Sequence, residues 1–217
     1  MGTSPSSWDK YLRAEFVEQT LGPGPGHRQG LVLDVGAGTS RFVQDRFSTE
    51  SELIRVDLSR NDPVNVVCSV TSLPFRNGAF ELVLAFRVLQ HVPHEREALE
   101  EILRVTKPGG TIVVAVANRN SWTLLSLHRD NQKLRKRIPY PHYELYRRVE
   151  LETKLKQTGF VRIRIWSAIF LPEVINRFPT AVTRILLRIG VTLDRVARRI
   201  PFVQNMGTNL VALGVKS

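Results

Sequence analysis

Two glycines and a distant carboxylate supply the first chemistry legible in this chain. The stretch Leu31-Val-Leu-Asp-Val-Gly-Ala-Gly-Thr-Ser40 runs an apolar strand into a turn at Gly36 and Gly38. Residues without a β-carbon let the backbone bend sharply and come close to a ligand. A helix opening near Ser40 would turn its first exposed N–H groups toward any polar group lying across that turn. Asp57 follows Gly36 by 21 positions, at the end of a second apolar run, Glu52-Leu-Ile-Arg-Val-Asp57. In a strand–helix–strand unit that spacing brings a carboxylate beside the glycine turn, where its oxygens can accept both hydroxyls of a ribose. A nucleotide-like ligand fits these residues. The single cysteine, Cys68, excludes an intramolecular disulfide framework and a multi-cysteine zinc site, and no metal site is expected.

Those residues need a sheet to hold them. Val64–Cys68 reads as a third strand, Ser72–Phe80 as a loop, and Ala79–Phe86 as a fourth strand, apolar almost throughout. Pro93 opens a helix whose buried face is expected to carry Leu99, Ile102, Leu103 and Val105, with Glu95, Arg96, Glu100 and Arg104 toward water. Lys107-Pro-Gly-Gly110 stops it, and Thr111–Val116 is a fifth strand. A further helix carries Leu145, Val149, Leu151 and Leu155 and ends near Gly159; Val161–Ile165 is a sixth strand and Asn209–Leu213 the last. Strands alternating with helices imply a doubly wound, mostly parallel α/β sheet of about seven strands with helices on both faces. Trp8, Tyr11, Leu12, Phe16 and Val17 recur at helical spacing, so residues 6–20 form an N-terminal helix, packed on the core or closing as a flap. At 217 residues and 42% hydrophobic content the chain is expected to be a single domain, 1–217.

The net charge of +11 is unevenly spread. Residues 1–127 hold 13 Lys+Arg against 14 Asp+Glu, whereas residues 128–200 hold 17 against 6. A basic segment so concentrated points to an anionic partner: lipid headgroups, nucleic acid or an acidic substrate. No secretory signal or membrane-spanning apolar run is present in the sequence, so a cytoplasmic protein, peripheral at a membrane at most, is expected.

Four motifs in order carry a family resemblance. Val32-Leu-Asp-Val-Gly-Ala-Gly-Thr, then Val56-Asp57, then Leu73-Pro-Phe-Arg-Asn-Gly-Ala-Phe-Glu-Leu-Val, then Val88-Leu-Gln-His91 with Arg104-Val-Thr-Lys-Pro-Gly-Gly110, resemble the class I S-adenosylmethionine-dependent methyltransferases. The branch of quinone-biosynthesis and other small-molecule methylases is the most similar, and the likeness covers roughly residues 30–118. The resemblance implies that Gly36, Ala37 and Gly38 pass under S-adenosyl-L-methionine, that Asp34 orders the turn, and that Asp57 binds the ribose diol. It further implies that Leu58 lies against adenine and that Ser69, Val70 and Phe86 complete the cofactor set. Ser69 departs from the acidic residue usual there, and Ser40 from the usual glycine. It also makes the last strand antiparallel, beside the fifth. A nicotinamide-dependent dehydrogenase on the same fold would need a third glycine under its pyrophosphate, and Arg41 stands at that position.

Methyl transfer from a sulfonium needs donor and acceptor held in line, with a base when the acceptor must lose a proton. His91 follows the fourth strand and is the first candidate base; its alternative is a structural histidine at the head of the next helix. Arg87 could position an anionic acceptor, and His142 and Tyr143 could reach in from an insertion. Two long connections, near 118–146 and 168–205, leave the carboxyl ends of strands five and six and should cap the acceptor site. Within the second, Val182, Ile185, Leu186, Ile189, Leu193, Val196 and Ile200 form an apolar stripe among arginines, so residues 178–202 could cover the core or lie on an anionic membrane. The acceptor is expected to be a small, lipid-like or quinone-like molecule methylated on O, N or C. The alternatives are RNA-directed methylation through the basic segment, or a non-catalytic membrane- or partner-binding module. Nucleic acid is the weaker partner: Ala85-Phe-Arg-Val88 replaces the Asn/Asp-Pro-Pro-aromatic stretch of nucleic-acid amino-methylases, and Cys68 is poorly placed for pyrimidine C5 attack.

Overall fold

Four consecutive apolar-dominated residues, Val32–Val35 (β1), are completely buried and pair on both sides, which makes them the centre of the sheet. The computed structural model describes residues 30–38, 53–60, 64–122, 142–168, 196, 199–201 and 203–217. The expected helices at 6–20 and opening near Ser40, and most of both insertions, lie outside them.

Around β1 stand Leu53–Asp57 (β2), Val66–Val67 (β3), Phe80–Phe86 (β4), Thr106–Ala117 (β5), Phe160–Ala168 (β6) and Asn209–Lys216 (β7). The spatial order is β3-β2-β1-β4-β5-β7-β6. β1 to β5 run parallel, and β7 inserts antiparallel between β5 and β6, from Thr111↔Val215 to Ala117↔Asn209 on one side and Phe160↔Lys216 to Ala168↔Asn209 on the other. The expected seven-stranded fold is therefore the observed one. One edge of the sheet gathers the ends of β1, β2, β4, β5 and β6 with the start of β7.

β3 is shorter than the expected Val64–Cys68. Asn65 takes over the ladder on that side: its N–H donates to the Arg55 carbonyl (2.8 Å) and its side-chain oxygen accepts the Arg55 N–H (2.8 Å). A side chain thus replaces a strand residue.

Glu95–Val105 (α1) packs against Arg148–Thr158 (α2), which lies on β6. Ala98, Leu99, Ile102 and Val105 bury the inner face of α1, but two residues expected to face water do not. Glu95 is buried and pairs with Lys154 of α2. Arg104 turns onto the loop before β4, donating to the carbonyls of Leu73 (2.9 Å) and Phe75 (2.7 Å) and to Asn77 Oδ1 (2.9 Å), while Glu101 accepts from it and from the Leu73 N–H (2.7 Å). The Arg104 guanidinium holds the Glu101 carboxyl below the usual carboxylate range. Val149, expected among the apolar positions of α2, is exposed, and Leu151 and Leu155 alone bury that helix. Gly159 ends α2 at φ +115, the left-handed turn that favours glycine.

The expected stop at Lys107–Gly110 is present as a bulge rather than a loop. Phe80 pairs with Thr106 and Leu82 with Thr111, so four residues of β5 leave the ladder between them. The far end of the chain seals this corner: Lys216 Nζ donates to the carbonyls of Leu103 and Thr106, both at 2.8 Å, capping α1 where its last carbonyls have no helical partner.

Candidate functional site

β1 delivers the glycine turn to the sheet edge. Gly36 sits at φ +64, and a β-carbon there would lie 2.2 Å from Val88 Cγ2, so the turn abuts the segment after β4 and admits no larger residue. Gly38, at φ +52, has no described residue within 4 Å of where its β-carbon would be. Ala37 is buried and its N–H donates to the Val56 carbonyl (3.0 Å), tying the turn to β2.

Asp57 ends β2 beside this turn. One carboxylate oxygen accepts the Gly38 N–H and the other the Ser59 N–H, both at 3.0 Å. Each oxygen has a second lone pair, so the fixed carboxylate can still accept the two hydroxyls of a diol. Leu58 next to it is 65% exposed and leaves an apolar surface beside the Asp57 carboxylate. Cys68 N–H donates to the Asp57 carbonyl (3.0 Å), which brings Ser69 and Val70 to the same edge. The Ser69 hydroxyl is occupied locally, 2.8 Å from the Thr71 hydroxyl and accepting the Thr71 N–H (3.2 Å), and the Val70 side chain is buried. Burial, then the Asp57 charge, push the Cys68 thiol up, keeping it protonated and unsuited to nucleophilic attack. Phe86 is buried at the end of β4.

Beneath the turn lies a residue that the sequence motifs did not single out. Arg55, 3% exposed in β2, donates from Nη2 to the Gly38 carbonyl (3.0 Å) and reaches the Ala37 carbonyl at 3.5 Å, with Nε 3.9 Å from the fully buried Asp34 carboxylate. A charge inside the apolar run Leu53-Ile-Arg-Val is the signal that could have found it, since a buried guanidinium must have acceptors.

The four residues proposed for the acceptor side come together at the end of β4, although up to 56 positions separate them. Arg87 turns the chain at φ +59, an uncommon conformation for a residue with a β-carbon, and donates its N–H to the Ala115 carbonyl (2.7 Å). A 3-10 turn, Leu89–His91, follows. The His91 ring lies 5.3 Å from the Tyr143 ring, tilted by 56°. The segment bearing His142 and Tyr143 is strapped down by Glu144 N–H to the Gln90 carbonyl (2.9 Å) and by Tyr146 N–H to the Ala117 carbonyl (2.9 Å). Buried Gln90 closes the strap, its side-chain oxygen accepting the Ala117 N–H (2.9 Å). Burial lowers the His91 pKa below the usual imidazole value, the Arg87 charge lowers it further, and the His142 backbone partly opposes both. A histidine kept neutral is one ready to accept a proton.

The strap is anchored from behind by Tyr146, whose phenol is pushed up by burial and by the Glu95 and Glu144 carboxylates, and whose ring carries Lys154 Nζ at 5.4 Å. A cavity of about 530 Å³ between α1 and α2, lined by Glu95, Leu99, Lys154 and Gln157, lies on this flank and contains none of the glycine-turn, Asp57 or His91-cluster residues. Among the described residues there is no cluster of metal ligands and no helix long and apolar enough to cross a membrane.

Comparison with known proteins bears on this geometry. Residues 33–114 match a family described as "Methyltransferase domain". An uncharacterised protein of Methanocaldococcus jannaschii is 26% identical over 193 residues, 86% of this chain and 78% of that protein. The demethylmenaquinone methyltransferase of Renibacterium salmoninarum is 35% identical over 110 residues, 46% of this chain and 45% of that enzyme, so the matched part spans just under half of it. Among solved structures, a Thermotoga maritima protein described as an S-adenosylmethionine-dependent methyltransferase, possible histamine N-methyltransferase, superposes with a TM-score of 0.66, covering 95% of this chain and 89% of that one at 18% identity. At that identity the likeness is one of fold.

Proposed function

We propose that this chain, whose residues 33–114 match a methyltransferase family, is a class I S-adenosylmethionine-dependent methyltransferase that methylates a small, lipid-like or quinone-like acceptor held between the glycine turn and the His91 cluster. The observation that carries this reading is the gathering of His91, Arg87, His142 and Tyr143 beside the turn, with His91 biased to the neutral form. Gly38 without a side chain, the fixed Asp57 carboxylate and the exposed Leu58 fit S-adenosyl-L-methionine. When bound, that cofactor supplies an already activated methyl group.

The chain's own residues have the remaining work. Asp57 holds the ribose diol, and Gly36 and Gly38 let the backbone approach the cofactor without a side chain between. Tyr143 and His91 present aromatic faces to a flat acceptor. For an acceptor bearing a phenolic or enolic hydroxyl, His91 takes the proton while the acceptor–methyl bond forms and the carbon–sulfur bond breaks, and Arg87 offsets the negative charge that develops. The quinone-like class is supported by the 35% identity to a demethylmenaquinone methyltransferase over 110 residues. Incubating the protein with radiolabelled S-adenosylmethionine and separate lipid, quinone and RNA extracts tests it. Label in the organic phase, dependent on His91, is expected; label in RNA alone refutes the acceptor class, and no label in any fraction refutes the activity.

A further inference from the structure

Apolar side chains left in water one at a time need no explanation, whereas several at one place do. Of the eight large hydrophobic residues exposed among the described ones, four belong to the roots of the two insertions: Trp122, Val196, Ile200 and Met206, each between 38 and 51% exposed. The backbone ties these roots together. Trp122 N–H donates to the Met206 carbonyl (3.1 Å), Met206 N–H to Val203 (2.9 Å), Val203 N–H to Ile200 (3.0 Å) and Arg199 N–H to Val196 (2.9 Å). The buried Asn118 amide clamps the same junction from β5, donating to the carbonyls of Asn205 (2.9 Å) and Gly207 (2.6 Å).

The two connections that meet at this junction are basic in sequence. The chain from Asn118 to Tyr146 leaves the end of β5 and returns beside it, carrying six Lys+Arg against two Asp+Glu. The chain from Ile169 to Thr208 leaves the end of β6 and returns to the start of β7, again with six against two. Among the described residues, exposed Arg119 and Arg199 stand at this rim, and exposed Arg148 donates from Nη1 to Asn205 Oδ1 (3.2 Å) at the same junction.

We infer that this rim is a docking surface for an anionic lipid bilayer, with the mouth of the site turned toward the membrane. Two features select that partner. Val196, Ile200 and Met206 are aliphatic or thioether side chains that gain by entering the headgroup boundary but offer nothing to a nucleic-acid backbone, which is bound by basic grooves and stacking aromatics. A second copy of this chain would bring an equal positive excess against the first and be repelled. Trp122 is a residue type favoured at the membrane interface, with an apolar body and a polar N–H. Docking does not depend on methyl transfer, so its failure and that of the catalytic reading are separable.

The full chain is mixed with vesicles of phosphatidylcholine alone or with about one third phosphatidylglycerol, and the bound fraction is measured by flotation at two salt concentrations, with S-adenosylmethionine binding recorded on the same samples. Binding to the anionic vesicles at least roughly tenfold tighter than to the neutral ones is expected, weakening with salt. The double substitution W122E/I200E should cut it by about tenfold or more while leaving cofactor binding intact, whereas V149E, on exposed Val149 of α2, should change nothing. Equal partition onto neutral and anionic vesicles, unaltered binding of W122E/I200E, or salt-sensitive capture by RNA with no binding to vesicles would each overturn the inference.

Discussion

Replacing Arg55 with methionine removes a cation that reaches both the glycine turn and Asp34. The side chain is 3% exposed, and its Nη2 donates to the Gly38 carbonyl at 3.0 Å with Ala37 at 3.5 Å and Asp34 3.9 Å from Nε. Methionine fills much of the volume, so packing changes little and polar loss dominates. Hydrogen bonds from a charged donor contribute about 1.5–3 kcal/mol, and breaking a buried pair by removing one partner costs about 3–5 kcal/mol because the other charge stays buried. Arg55→Met should therefore lose about 3–5 kcal/mol, a fall in Tm of roughly 6–20 °C for a domain of this size. Arg55→Lys keeps the charge but not the fork and should lose less. Urea unfolding gives the stability, and calorimetric titration gives cofactor affinity. That affinity should fall by roughly tenfold in both variants, since the carbonyls held by Arg55 belong to the turn under the cofactor. A double-mutant cycle with Asp34→Asn should give a coupling energy above about 1 kcal/mol. If Arg55→Met unfolds at the unaltered urea midpoint and binds cofactor as before, the account of Arg55 as the brace of the turn is wrong.

Asp57→Asn keeps the acceptor for the Gly38 N–H but loses the charge, and calorimetry should show cofactor affinity down by roughly 10–100-fold with little change in Tm. With an ionisable acceptor, kcat/KM should rise with pH to a plateau whose midpoint lies below 6.5, the ordinary histidine value, and His91→Gln should abolish that limb. The same depression has a stability counterpart: between the lowered folded pKa and 6.5 the unfolded chain binds the extra proton, so stability falls as pH drops through that window, and His91→Gln should flatten the melting profile there. Lys216→Met leaves the Leu103 and Thr106 carbonyls without their donor and should cost about 1–3 kcal/mol in urea unfolding, with cofactor affinity unchanged.

The parts of the fold that depend on local pattern were legible. Continuous apolar runs marked β1, β4 and β5, and the 21-residue interval from Gly36 anticipated the Asp57 carboxylate meeting the Gly38 N–H. Periodicity failed where a polar residue finds a distant partner. Glu95 and Arg104 stand at solvent positions of an isolated helix, yet one is buried against Lys154 and the other is spent on the loop from Leu73 to Asn77. Arg55 was passed over for the same reason, its acceptors lying 17 and 18 residues away. Spacing alone also could not pair His91 with Tyr143. The parallel bridge between Asn118 and Tyr146 brings the strap back beside the end of β5.

The place of β7 bears on how the chain is assembled. It is the last described strand in the sequence, yet it fills a gap inside the sheet between β5 and the edge strand β6, pairing with β5 about a hundred residues earlier. Until it arrives, β5 and β6 each present a naked row of N–H and carbonyl groups, the kind of edge that recruits strands from other chains. Folding must therefore wait on a long-range closure. The interval in which both edges stand open is the period of greatest risk for aggregation, and truncation before Asn209 would make that state permanent.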